Sequence, residues 1–337
     1  MRRARELAAL ANRSPVPYSP ECVKVNSANY FAVTEFSKVQ QEILAPSSAL
    51  VTIAAVFNSA GLITPLQKER QRGDCMDATP STLNQQSSAS VEQHSGLRTL
   101  VLHLLPGALV LVFFVAIAPI LWGLGFPSAM AIYLAFVFVL LPFELGYLIY
   151  EARERGTSLG DIVLYRQPVP RGQFFALVGA LFVWGIIMTL LLSPVDSLVK
   201  ESLFAWLPGW LDYTNGFSTG GARFSTTSLL ITLAFGLIAN GIAAPVVEEM
   251  YFRGYLLPRI SRFGAWAPII NTVLFSLYHF FSLFGLVSCT LTFLPMVYAA
   301  WWKRNIYLSM SVHILGNLFG AVLPLLLIVG VSGSGSS

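Results

Sequence analysis

Two adjacent glutamates stand in an otherwise apolar stretch at VVEEMYFRGYLL, and two histidines follow in apolar stretches at FSLYHFF and SVHILGN. An ionisable group among spanning residues costs several kcal/mol unless it faces a partner, water or the protein interior, so each needs a reason. Glu249 and Arg253 stand four apart, on one side of a helix, which suits either a structural ion pair or direct chemistry for Glu249. Glu248 points about 100° away from Glu249 and meets Tyr251 and Phe252, not a base, at helical spacing. A carboxyl so placed is suited to proton transfer. His313 and Asn317, again four apart, project from one helix face as two donors able to hold a developing oxyanion. His279 follows Phe275 by one turn. Either histidine alone reads as an ordinary core residue; together, downstream of a glutamate pair, they read as function.

These groups need helices to hold them. The chain of 337 residues is 55% hydrophobic and 11% charged, with a mean hydropathy of +0.65, which excludes an ordinary soluble domain of about 25% charged residues. The stretch 264–302 has no Asp, Glu, Lys or Arg. Seven segments meet or approach the length a bilayer requires of a helix: 99–122, 127–150, 174–192, 228–247, 266–284, 286–302 (short, with Pro295) and 306–331. None alternates like a barrel strand. The fold class expected is all-α, a polytopic transmembrane helical bundle of about seven spans, six to eight at the limits. A further segment, 197–211, mixes Lys200 and Glu201 with Trp206 and Trp210 and reads as a helix lying in the interface.

The bundle is expected over 98–331, after a polar, largely disordered cytoplasmic region at 1–97 and before a Gly/Ser tail at 332–337. Residues 43–66 are mildly apolar but a poor span, 77–96 are a Ser/Gln/Asn/Thr-rich lead-in, and Met76 opens the part that looks like membrane protein, so the residues before it could be an overlong reading of the gene. The first residues hold no signal peptide. Cys22, Cys75 and Cys289 form no framework. With the N-terminus cytoplasmic, Arg98, Arg153, Arg155, Arg166, Arg171, Arg253, Arg259, Arg262, Lys303 and Arg304 fall inside, the positive-inside pattern of a multi-pass protein of the bacterial plasma membrane or the endoplasmic reticulum. The basic residues read as topology signals, and no nucleic-acid partner is expected. In this arrangement Glu248 and Glu249 end the fourth span, and His279, about 20 Å along the fifth, joins them only if that helix tilts or the site extends inward. Glu144, at PFELGY, reads as lining a cavity or pairing helices; His103 as interfacial; Asn240 as bonding between helices or lining the site.

Taken in order and spacing, EExxxR at Glu248, Glu249 and Arg253, FxxxH at Phe275 and His279, and HxxxN at His313 and Asn317 resemble the three signatures of the CPBP family, the CAAX proteases and bacteriocin-processing enzymes also called the Abi family. The resemblance covers 228–324. It implies an intramembrane endopeptidase acting on a membrane-anchored peptide or protein substrate, prenylated or leader-bearing, with Glu248 activating water and His279 orienting that water or sharing its proton. It also implies an oxyanion hole of His313 and Asn317, and Glu249 and Arg253 shaping the site.

Two histidines and a carboxylate are also a Zn²⁺ ligand set, which would be Glu248, His279 and His313. The metal-free glutamate mechanism is preferred, because neither histidine lies in HExxH and Asn317 suits an oxyanion better than zinc; a metalloprotease is the other enzymatic reading. A non-catalytic scaffold or bacteriocin-immunity protein would use the same polar cavity for binding alone. A transporter would look for an internal repeat, and the sequence shows none.

Overall fold

The computed structural model describes residues 91–214 and 223–334. The stretch 43–66, Cys22, Cys75, Met76, the lead-in up to residue 90 and the end of the tail lie outside the described residues.

Seven apolar helices, in the expected order, make up the described bundle: α1 (Gly96–Gly123), α2 (Ala129–Glu154), α3 (Arg171–Leu203), α4 (Thr226–Phe263), α5 (Trp266–Tyr278), α6 (Leu286–Lys303) and α7 (Ile306–Ser334). Five helical stretches, with α6 counted from Phe280, are long and apolar enough to cross a bilayer; α5 and the 306–322 part of α7 are shorter apolar helices. Local chemistry sets several ends. Ser95 and Ser225 accept N–H bonds from Arg98 and Ser228 and so cap α1 and α4. Gly264, at φ 55°, makes the turn from α4 to α5, and Arg304 in the left-handed region ends α6.

Two of the helices are not uniform. In α2 a π-helical turn at Phe136–Leu140 precedes Pro142, and in α4 one at Ala239–Ala243 precedes Pro245. A proline inside a helix lacks an N–H and crowds the preceding turn, and a widened turn just before it absorbs that conflict.

The helices pack as a ring around the site. α1 lies against α2 and α5; α5 and α6 form an antiparallel hairpin; α3 covers α6 and α7; α7 runs back along α4; and α2 packs on α4. The main core is rich in aromatics, including Phe114, Tyr251, Phe252, Phe275 and Tyr278, and a smaller cluster of Val178, Met296, Leu308 and Val312 lies beneath α3. α3 buries only Val178 and turns Phe175, Leu190 and Leu191 outward, as a lipid-facing helix does.

Three local expectations differ from the structure. The segment 197–211 is no separate interfacial helix: α3 runs through Pro194 to Leu203, and only a turn of 3-10 helix follows at Gly209–Leu211. The fifth segment does not run unbroken to residue 284, because α5 stops at Tyr278 and Phe280–Gly285 forms a 3-10 turn leading into α6. Residues 91–95, at the end of the polar lead-in, are strapped to the end of α4. The Gln93 side chain bonds Pro258 O and Ser261 Oγ and accepts from the Arg262 N–H, while the His94 N–H reaches Arg259 O.

Candidate active site

Depth is the first thing the helices settle. α4 does not end at Val247; it continues for fifteen residues beyond Glu248, through a π-helical stretch at Glu249–Leu256, to Phe263. That stretch is buried almost throughout, so the apparent end of the span is interior protein. Counted from the arginine-rich end of the bundle, Glu248 is about 20 Å deep, and so is His279 at the far end of the thirteen-residue α5. The mismatch of depth expected from sequence disappears without any special tilt.

α7 is set in register by main-chain bonds. The Ile306 N–H reaches Tyr165 O, the Leu164 N–H reaches Gly254 O, and the Asn305 side chain bonds Gln167 O. These ties start α7 beside Gly254, where a Cβ would approach Val163 and Ile306. From that level Glu248 lies six residues back along α4 and His313 seven residues along the antiparallel α7, so they meet at one height.

His313 bridges the glutamates. Its Nδ1 lies 3.0 Å from Glu249 Oε1 and its Nε2 3.7 Å from Glu248 Oε2. Glu249, fully buried, also stands 3.2 Å from the guanidinium of Arg253, itself fully buried. With Nδ1–H donating to Glu249, Nε2 faces Glu248. Glu248, 3% exposed, accepts a hydrogen bond at Oε1 from the hydroxyl of Tyr278. It is therefore not the partnerless carboxyl that its own helix suggests, because both neighbours come from other helices. Burying a carboxylate without donors would be prohibitive, which is why these contacts matter.

Phe275 ties the rest together. Its ring lies 3.9 Å from the Arg253 guanidinium carbon, with centroids 4.9 Å from His279 and 6.0 Å from His313. The FxxxH spacing thus places the phenylalanine as the wall between arginine and histidines. His279 Nδ1 bonds Phe275 O at 2.8 Å, which leaves Nε2 as an acceptor in the neutral ring, and its centroid is 4.5 Å from that of Tyr278. His279 and Asn317 are only half-buried, whereas Glu248 and Glu249 are buried, so the site is reached from the histidine and asparagine side.

Asn317 donates one Nδ2–H to Asn240 O at 2.8 Å. That carbonyl is available because of the π turn: Ala244 N–H bonds Ala239 O, and the next donor in that register would be Pro245, which has none. The Asn240 bond between helices is thus made by its main chain. A carboxamide has two N–H donors, so the second stays free for a ligand.

Sequence reading missed Tyr278. Its only signal was adjacency to His279 in FSLYHFF. It misjudged His103, which is fully buried, bonds Thr99 O through Nδ1 at 2.7 Å and meets Asn271 Nδ2 through Nε2 at 3.1 Å. Asn271 also donates to Phe252 O, so His103 braces α1 against α5 and α4.

Among the described residues no three His, Cys, Asp or Glu side chains converge as a ligand set. No step is therefore derived through zinc.

Residues 230–319 match the family described as Rce1-like, type II CAAX prenyl endopeptidase Rce1-like, which is consistent with the CPBP resemblance. No curated protein and no solved structure matches the chain. With this match and its set of long apolar helices, the chain is an integral, multi-pass membrane protein.

Proposed function

Proceeding from a segment that matches the Rce1-like endopeptidases, we propose that this chain is an intramembrane endopeptidase that hydrolyses a peptide bond of a prenylated, membrane-anchored substrate by glutamate-activated water. The observation that carries the reading is the convergence on Glu248 of the Tyr278 hydroxyl and His313 Nε2 at a buried depth where the half-buried His279 and Asn317 supply access.

In this mechanism Glu248 takes a proton from a water held also by His279 Nε2, and the water oxygen attacks the scissile carbonyl. The oxyanion receives the free Nδ2–H of Asn317 and, when His313 is doubly protonated, its Nε2–H. As the C–N bond breaks, Glu248 returns the proton to the leaving amine. Glu249 and Arg253 orient His313 from behind. Tyr278 fixes the rotamer of Glu248, so that one oxygen is occupied and the other faces the water.

The test is cleavage of a farnesylated peptide ending in a CAAX sequence by the purified full chain in liposomes. Glu248→Gln and His313→Ala should each reduce cleavage by at least about a hundredfold while leaving the protein inserted and folded. Retained cleavage in either variant overturns the reading.

A further inference from the structure

His279 stands where its helix stops. α5 ends at Tyr278, the histidine leaves helical geometry at φ −76° and ψ 55°, and the Phe280–Gly285 turn that follows is broken again at Ser282. Its Nδ1 is fixed by Phe275 O, but no continuing helix holds the chain beyond it, so the direction of Nε2 depends on what packs against that turn.

α3 and the segment after it do the packing. Beyond the lipid-facing Leu190 and Leu191, α3 carries Asp196 and Lys200, four apart and so on one face. Charges near the end of a spanning helix are free to face water, yet both of these turn to protein. Asp196 Oδ2 accepts from the Ser288 hydroxyl of α6 at 2.6 Å. The Lys200 ammonium stands 2.6 Å from Asp212 Oδ2, donates to Thr214 Oγ1 at 3.0 Å and lies 5.4 Å from the ring centroid of Phe284. Asp212 Oδ1 accepts from both the N–H and the hydroxyl of Thr214. Tyr213 is therefore pinned on both sides by one ion pair. Its ring stacks on Phe284 at 6.3 Å and meets Phe281 edge-on at 5.7 Å, and Phe281 in turn lies 5.5 Å from the His279 ring. Every link from Lys200 to His279 is a direct contact.

We propose that Lys200 and Tyr213 are positioning residues for His279: the Lys200–Asp212 pair holds Tyr213 against Phe281 and Phe284, and this stack sets where His279 Nε2 points. Neither residue touches water or substrate; both act through the turn. The inference rests on the peptidase reading, in which His279 Nε2 helps to hold the attacking water.

The experiment measures kcat and KM separately for the full chain in liposomes with the farnesylated CAAX peptide, comparing native protein with Lys200→Met, Tyr213→Leu, Lys200→Arg and Glu248→Gln, and takes the thermal midpoint of each. A small misplacement of a group that orients a reactant is felt in the chemical step, so Lys200→Met and Tyr213→Leu should each lower kcat about tenfold, with KM and the thermal midpoint kept. Lys200→Arg, which still pairs with Asp212, should recover most of that loss. Should Lys200→Met not fold, Tyr213→Leu, which leaves the ion pair intact, carries the test. Native kcat in a folded Met or Leu variant, a loss that appears in KM instead of kcat, or an Arg variant as slow as Met overturns the positioning role. Those outcomes leave the peptidase reading standing. If the native protein itself shows no cleavage and Glu248→Gln matches it, the peptidase reading fails and the role of Lys200 and Tyr213 with it.

Discussion

The hydroxyl of Tyr278, the last residue of its helix, donates to Oε1 of Glu248, thirty residues earlier in the chain and on a different helix. This bond occupies one carboxyl oxygen and leaves the other toward His313 Nε2, so in the proposed mechanism it selects the oxygen of Glu248 that meets the water.

Tyr278→Phe removes that donor while keeping the ring packed against Phe252 and Phe275. A hydrogen bond to a charged group is worth about 1.5–3 kcal/mol, so kcat should fall roughly ten- to a hundredfold with KM little changed. Steady-state cleavage of the farnesylated peptide measures it; an unchanged kcat would deny Tyr278 any part in orienting Glu248.

Arg253 and Glu249 are a fully buried pair. Taking away Arg253 alone, as in Arg253→Met, strands a buried carboxyl and should cost about 3–5 kcal/mol, while Arg253→Met combined with Glu249→Met should recover much of that loss. Thermal unfolding in detergent gives both values, and equal losses in the single and double variants would show that the pair is not coupled.

The free Asn240 carbonyl depends on proline. Pro245→Ala supplies an N–H in the register that Ala244 already uses toward Ala239, so the carbonyl gains a competing donor and Asn317 loses its anchor. The expected result is a fall in kcat toward that of Asn317→Ala, itself about a hundred- to a thousandfold below native if Asn317 serves the oxyanion. Native kcat in Pro245→Ala would argue against this coupling.

Gly107 on α1 lies so close to the end of α5 that a Cβ there would overlap the Tyr278 carbonyl. Gly107→Ala must push α1 away from Tyr278 and His279. It should lower the thermal midpoint by the equivalent of about 1–3 kcal/mol and lower kcat with it, because both site residues sit where the helix is displaced. A variant with native stability and activity would show the contact to be more yielding than its geometry.

His94, outside the spanning helices, carries a pH dependence. Burial, helped by Arg98 and Arg259, pushes its ring down from 6.5 to about 4. Between those values the unfolded chain binds a proton that the folded chain refuses, so stability contributed at neutral pH is lost as pH falls from 6.5 toward 4. The thermal midpoint of native protein should drop more steeply over that window than that of His94→Phe. Parallel curves would contradict the assignment.

The sequence by itself determined the class of the molecule and which residues of one helix stand together at the candidate site. Seven apolar segments need no tertiary information, because a bilayer imposes a length and a composition on each helix separately. Residues four apart on one helix share a face wherever that helix goes, so the pairings of Glu249 with Arg253 and of His279 with Phe275 were legible in advance. What the tertiary structure alone decided are relations between helices. The glutamates are deep, not terminal, because α4 runs on past the charges to Phe263 in a stretch whose first arginine, Arg253, is paired with Glu249 inside the protein, and a hydropathy window sees only the charges. Glu248 has partners because α5 ends beside it and α7 starts level with Gly254, a register fixed by the bonds of Asn305 and Ile306 to the 165–167 segment. Glu144 and His103 proved to be interior groups for the same reason: burial is a property of neighbours, and the neighbours lie far away in sequence.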